Sequence, residues 1–241
     1  MKHHLLIIPA YNEERHITSV LKHIRKQNGL NCDILVVDDG SQDATADLAK
    51  KCGAVTLSLE ANVGYGKALE AGYRYAAKNG YEYIAQMDGD GQHDAPCVKK
   101  MFNILEAHRA DVVIGSRFLD STLGGTYEAG FLRRIGMIFF SALVTLVTGR
   151  KISDPTSGFR AFHQRVLPLL LHARFPKDFP DADAIILLAK CGARVVETAV
   201  PMYSKDERKS IHSGWNPFFY AFRMTHAVVR TALRAAPLHI K

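Results

Sequence analysis

The chain has 241 residues, 47% of them hydrophobic and 23% charged, and a formal net charge of +7; that is enough for one large α/β domain with a substantial core. The positive balance favours an anionic partner such as a nucleotide, a phosphate or a lipid surface. The four cysteines form no CxxC pair, and there is no zinc-finger spacing and no basic tract with interleaved aromatics, which excludes a zinc framework and sets nucleic acid aside as a partner.

The N-terminus, MKHHLLIIPAYNE, enters an apolar strand at once, without the long apolar region and cleavage site of a signal peptide; a cytoplasmic protein with reduced thiols is expected. Short β-branched runs then alternate with helical segments. LLIIP (5–9) is followed by a helix over Glu13 to Gln27, DILVVDD (33–39) by one over Asp43 to Cys52, and AVTLSL (54–59) by one near Tyr65 to Lys78. YEYIAQMD (81–88), a helix near Ala95 to His108 and DVVIG (111–115) complete the first half. Such alternation predicts βαβ units, hence an α/β fold with a mainly parallel sheet and helices on both faces.

In sheets of this kind ligands bind beyond the carboxyl ends of the strands. Here those ends read PAYNE, DDGSQD, ANVGYGK, DGDGQHD and GSRF, so five of them bring polar, chemically capable side chains toward one place. Asp and Gly are ordinary turn residues, but turn chemistry alone does not supply Tyr11, Glu13, Lys67 and Arg117. Asp88 and Asp90 stand two apart, so in extended backbone both carboxylates leave on one side and suit a shared divalent cation.

The second half is less regular. LDSTLGGTYEAG (119–130) reads as a Gly-rich loop, LRRIGMIFFSALVTLVTG as an apolar helix, SDPTSGFRAF (153–162) and a helix near Gln164 to His172 follow, and FPDADAIILLAKCGARVVETAVPMY runs from 179 to 203. The longest apolar run, Met137 to Val147, falls short of the roughly 20 residues that span a bilayer as a helix. This half reads as an acceptor-side elaboration of the same sheet, with residues 1–213 as one catalytic domain and 214–241 as a C-terminal amphipathic helix. At about 100° per residue, Arg223, Arg230 and Arg234 share a stripe, opposite Phe218, Phe222, Val228, Val229 and Leu233. Such a helix either lies in an anionic bilayer interface or packs on the protein's own core or a partner subunit.

IIPAYNEE, ILVVDDGSQDAT, ANVGYGKALEAGYRYA, AQMDGDGQHD, VVIGSRF and DPTSGFRAF, in this order, resemble the family 2 glycosyltransferases with the Rossmann-like GT-A fold, and among them the polyprenyl-phosphate sugar synthases. The likeness spans about residues 5 to 210. It implies that Pro9, Tyr11 and Glu13 contact the base and ribose of a nucleotide-sugar donor and that Asp39 hydrogen-bonds the base, with Asp38 as an alternative contact or a brace for the turn. It further implies that Asp88 and Asp90 hold Mg²⁺ or Mn²⁺ against the diphosphate, with Gln92 completing the shell, Gly89 letting the backbone approach and His93 serving as a hydrogen-bonding loop residue. Arg117, Arg133 and Arg208 match arginines that bind phosphates, for which a guanidinium fork is suited. Asp154 and Arg160 border the acceptor pocket, and Asp183 falls where an acidic residue stands near the acceptor.

The expected reaction is therefore an inverting, metal-dependent transfer of a UDP- or GDP-linked sugar to polyprenyl phosphate at the inner face of the cell membrane. A hydroxyl of a glycan or glycolipid is the alternative acceptor; it needs a general base, for which Asp183 or Asp154 is available, whereas a phosphate oxygen is already anionic. One departure from the strictest lipid-phosphate pattern is ERKSIHSGW, which lacks a Gly before Lys209 and Ser210. The rival from another class is a catalytically silent binding subunit.

Overall fold

The computed structural model describes residues 2–27, 29–120, 131–173, 175–176, 181–203, 217–236 and 238–240. The β-branched runs form β1 (Lys2–Ala10), β2 (Asp33–Asp38), β3 (Val55–Ser58), β4 (Tyr81–Gln86) and β5 (Val112–Ser116). Between them lie α1 (Ile17–Arg25), α2 (Thr45–Lys51), α3 (Tyr65–Asn79) and α4 (Pro96–Glu106), close to the expected spans. Beyond β5 come α5 (Phe131–Thr148), β6 (Arg160–His163), a 3₁₀ turn over Gln164–Val166, α6 (Leu167–Leu170), α7 (Ala182–Lys190), β7 (Val195–Ala199) and α8 (Pro217–Leu233).

The strands make one sheet in the order β3-β2-β1-β4-β6-β5-β7. All pairings are parallel except those of β6, which runs antiparallel to β4 and β5. The mainly parallel sheet is thus as expected. The strand RAFH, within a segment read from sequence only as part of the acceptor side, is an addition, and it separates β4 from β5. Its short alternation suffices because both faces are covered: Phe162 joins one core cluster and Ala161 the other.

The period of two along β1 explains the layering. Leu5 and Ile7 face a core shared with α3, α5, α6 and α7, while Leu6 and Ile8 face one shared with α1 and α4. Each fully buried Leu or Ile contributes about 1.5–3 kcal/mol, so the central strands are the most strongly fixed part of the molecule. Gly72 lets α3 press on β1, because a Cβ there would lie 2.7 Å from Cγ2 of Ile7. That contact fixes where the first turn of α3 emerges at the carboxyl end of the sheet.

In its described part the segment 214–241 packs on the rest of the chain. Val228 of α8 is fully buried in the core that α7 lines, and the Lys190 ammonium at the end of α7 donates to the carbonyls of Ala232 and Arg234 at 2.5 Å each. Positive charge against the last carbonyls of a helix is favourable. Arg230, Leu233 and Arg234 remain exposed.

Candidate active site

The first two strand ends are laced to each other by backbone-to-side-chain bonds. Asn12, held at a φ of 53°, donates its N–H to the Ser41 hydroxyl and accepts from the Gln42 N–H through its side chain, and the Glu13 N–H donates to the Thr45 hydroxyl at 2.8 Å. Pro9 is buried at the end of β1, whereas the Tyr11 ring beside it stands 43% exposed, an apolar face open at the site.

Asp38 and Asp39 are both buried. Asp38 accepts from the Ser41 N–H at 3.1 Å. Asp39 accepts from the N–H groups of Val63 and Gly64, at 2.8 and 2.9 Å, so it ties the end of β2 to the turn that launches α3. Gly40 is required between that turn and β2: its φ is +70°, and a Cβ would stand 2.5 Å from the carbonyl carbon of Ala61. A carboxylate has about four acceptor positions, which leaves Asp39 capacity for a further donor. Lys67 is exposed in the first turn of α3.

Asp88 follows the central strand β4. One of its oxygens accepts from the Tyr65 hydroxyl at 2.9 Å, and the other lies 3.2 Å from Nε2 of His93. Burial first, and then the charge of Asp88, push the Tyr65 hydroxyl well above its ordinary range, so it stays a neutral donor. The His93 ring is buried against Phe159, with centroids 4.9 Å apart. Asp90 accepts from the Gln92 N–H at 3.1 Å across Gly91, whose φ is +80°. Asp88, Asp90 and Gln92 stand on one loop and offer only oxygens as side-chain ligands, the chemistry a hard cation prefers when phosphate and water supply its remaining ligands. The residues present therefore fit Mg²⁺ or Mn²⁺.

Arg117 and Asp154, assigned separate tasks from sequence, form one unit. Nε and a terminal nitrogen of Arg117 donate to the two oxygens of Asp154 at 2.6 Å each, and the Arg117 backbone N–H adds a bond at 3.1 Å. The Asp154 side chain is fully buried and that of Arg117 is 8% exposed. This geometry departs from the reading of Asp154 as a base, because a fully buried carboxylate with both oxygens taken by a guanidinium is not accessible to an acceptor. Arg160, fully within the core, donates to the carbonyls of Ser157 and Pro155 and so braces the turn after Asp154. Arg133 lies in the first turns of α5 with its side chain outside the description, and Arg208, Lys209 and Ser210 lie outside the described residues.

Asp183, the other carboxylate expected near the acceptor, has no guanidinium fork among the described residues. It sits in the first turn of α7, 5% exposed, and its pKa is raised from 3.8 to about 6, chiefly by burial and then by Asp181, against the opposing N–H of Ala184 and charge of Arg160. A carboxylate whose folded pKa is raised costs stability once it ionises: the cost grows from about pH 4 and is complete above pH 6. Asp183→Asn, which keeps an acceptor for the Ala184 N–H, is expected to stabilise the protein by roughly 2–3 kcal/mol at pH 8 and by nothing at pH 4. Thermal melts of the two proteins across that range check the sign.

Two residues of this neighbourhood escaped the sequence reading. Tyr65 looked like a helix-start aromatic, and only its spacing in VGYGK hinted at the site. Glu197, a single carboxylate within the run VVETAV, gave no signal at all.

Residues 5–170 match the model of glycosyl transferase family 2. An undecaprenyl-phosphate mannosyltransferase of Micrococcus luteus is 31% identical over 218 residues, covering 87% of each chain. A UDP-N-acetylglucosamine–dolichyl-phosphate N-acetylglucosaminyltransferase of Methanococcus voltae is 26% identical, covering 89% of this chain and 92% of its own. Among solved structures, glucosyl-3-phosphoglycerate synthase from Mycobacterium tuberculosis, crystallised with Mn²⁺, UDP and glucosyl-3-phosphoglycerate, superposes with a TM-score of 0.69 at 20% identity, over 98% of this chain and 81% of that one. At that identity the likeness speaks for the shared GT-A fold.

Proposed function

Because the chain belongs to glycosyl transferase family 2, we propose that this glycosyltransferase moves a sugar from a nucleoside-diphosphate donor to polyprenyl phosphate at the cytoplasmic face of a membrane. The observation that carries the proposal is that Tyr11, Asp39 and Asp88 follow the parallel strands β1, β2 and β4 at their carboxyl ends, with Asp39 and Asp88 both tied to the start of α3 through Gly64 and Tyr65. The names of the relatives supply the acceptor class.

In this reading Tyr11 stacks on the base, Pro9 and Glu13 border the ribose, and Asp39, with Asp38 behind it, accepts a base N–H. Lys67 and Arg117 meet phosphate oxygens, and Arg133 and Arg208 are assigned to phosphate by the family resemblance alone. Asp88, Asp90 and Gln92 hold Mg²⁺ or Mn²⁺, with Gly89 leaving room for the diphosphate, and the cation supplies neutralisation of charge on the departing nucleoside diphosphate. The acceptor phosphate oxygen attacks the anomeric carbon as the bond to the diphosphate breaks on the opposite face, which inverts the configuration. A phosphate oxygen needs no base.

One observation favours a second reading. Asp183 is buried in the first turn of α7, and its pKa, raised to about 6 chiefly by burial, suits a general base, which a hydroxyl acceptor of a glycan or glycolipid demands. Asp183→Asn separates the two: transfer to a hydroxyl is abolished, whereas transfer to a phosphate is only weakened. The acceptor class is tested by incubating the protein with a panel of radiolabelled UDP- and GDP-sugars, Mn²⁺ and native membranes, followed by solvent extraction; label in the organic phase supports a lipid acceptor, and label confined to the aqueous phase refutes it.

A polyprenyl chain stays in the bilayer, so the enzyme must meet its surface. Among the described residues no helix is long and apolar enough to cross a membrane. Along α5, however, Ile138 and Leu146 are 65% and 81% exposed, and a groove of about 750 Å³ lined by Phe118, Met137, Ile138, Ala142, Leu146 and Ser153 opens beside Arg117. Arg230 and Arg234 are exposed on and just after α8, which packs on α5, and each is worth about 1 kcal/mol near an anionic leaflet; the groove and these charges suit peripheral docking. In liposome flotation, the protein is expected to rise with anionic vesicles and to be released by high salt, and Leu146→Glu with Leu233→Glu is expected to keep it at the bottom. Equal flotation of the double variant contradicts docking through these residues.

A further inference from the structure

We propose that Glu197 is the positioning residue for Arg117, acting through the turn at Ser153 and Asp154 rather than by touching substrate. The proposal rests on the assignment of Arg117 to a phosphate. Glu197 projects from β7, the outermost strand of the sheet, opposite Ile114 in the register with β5. One of its oxygens accepts from the N–H and the hydroxyl of Ser153, at 2.7 and 2.9 Å, and the other accepts from the N–H of Asp154 at 2.8 Å. The two amides belong to consecutive residues, so a single carboxylate sets the orientation of that turn, and each amide left without a partner would be costly.

Two routes lead from this clamp to Arg117. The first is the Asp154 side chain, which takes Arg117 in a two-bond fork and holds its backbone N–H as well. The second is the Ser153 hydroxyl, 2.7 Å from the hydroxyl of Ser116, which in turn accepts from the N–H of Phe118. Residues on both sides of Arg117 are therefore referred to Glu197. Nε and one terminal nitrogen are taken by Asp154 and Thr156, so the other terminal nitrogen, 4.0 Å from Sδ of Met202, is the donor that would meet a phosphate oxygen, and it must be held to within a fraction of an ångström. Burial, opposed by the three donors, raises the carboxyl of Glu197 above its ordinary range, and the nearby charge of Asp154 adds to the rise. A carboxylate held at that cost, beside a second carboxylate and one guanidinium, is accounted for by the geometry it imposes.

The test is a double-mutant cycle read by calorimetric binding of three phosphate-bearing probes: UDP with Mn²⁺, GDP with Mn²⁺, and undecaprenyl phosphate in detergent. Arg117→Lys, which keeps the charge but loses the fork, is expected to weaken at least one probe about tenfold. Glu197→Gln is expected to weaken the same probe to a similar degree with unchanged binding stoichiometry, and to add nothing in the Arg117→Lys background. A purely structural Glu197 would instead lower the stoichiometry by unfolding part of the sample and leave the affinity of the remainder alone. Should Glu197→Gln fold poorly, Ser153→Ala removes the hydroxyl links while keeping both amides, and it is expected to weaken that probe to a lesser degree. If Arg117→Lys weakens a probe while both of the other variants leave it unchanged, or if the losses simply add, the role of Glu197 is overturned. If Arg117→Lys weakens none of the three, Arg117 is not on a phosphate and the assignment beneath the proposal falls with it.

Discussion

Asp90→Asn is expected to lower turnover about 10²- to 10³-fold, corresponding to the several kcal/mol that a cation supplies by neutralising charge on a leaving phosphate. The side chain is partly exposed on a loop, and Asn retains an oxygen for the Gln92 N–H that Asp90 now accepts. Folding is thus expected to be unchanged. What Asn removes is the negative charge, and with it most of the attraction for a divalent ion. Asp88→Asn is expected to behave alike, with one difference: Asp88 also accepts from Tyr65 and faces His93, so its replacement disturbs α3 slightly. Turnover measured against Mn²⁺ concentration, with thermal melting as the control, checks both variants. Activity that survives in excess chelator contradicts the metal assignment.

The largest effect on stability is expected from Asp154→Ala. The variant leaves the Arg117 guanidinium buried without its principal partner, and breaking a buried ion pair from one side costs about 3–5 kcal/mol. For a domain of this size the melting temperature then falls by on the order of 10 °C. Asp154→Asn restores the shape but not the charge and is expected to lie between. The pattern contrasts with Asp183→Asn, expected to raise the melting temperature at pH 8: Asp154 is held in an ion pair, whereas among the described residues Asp183 has the Ala184 N–H and no ion pair. Melting curves of the three variants at pH 8 decide the matter, and an unchanged melting temperature for Asp154→Ala contradicts the fork seen here.

The sheet was legible because its determinants are local. LLIIP, DILVVDD and DVVIG are β-branched runs that end in residues unable to continue a buried strand, and β1, β2 and β5 follow them closely. The strand ends were legible for the same reason, and so was the cation loop, since Asp88 and Asp90 are neighbours in the chain. The pairing of Arg117 with Asp154 was not legible, because the partners are 37 residues apart and meet only once β6 has inserted between β4 and β5. Nothing in RAFH announces that insertion; so short a run, with three of its four residues buried, looks the same in a loop or a strand. Glu197 is the extreme case, since a carboxylate in an edge strand ordinarily faces water, and only the tertiary fold brings the amides of Ser153 and Asp154 to it. Asp183 lies between these limits: its place near the acceptor came from resemblance, but its burial comes from the packing of α7.

The most direct measurement of the central claim is reconstitution of the purified protein with undecaprenyl phosphate, Mn²⁺ and radiolabelled UDP- and GDP-sugars, with the extracted product treated with mild acid. A sugar joined through phosphate is released by mild acid, whereas one joined to an unactivated hydroxyl resists it. The expected result is Mn²⁺-dependent label in the organic phase that mild acid returns to water, and its loss in Asp90→Asn. Organic-phase label that withstands mild acid, or that forms equally without undecaprenyl phosphate, contradicts transfer to a lipid phosphate.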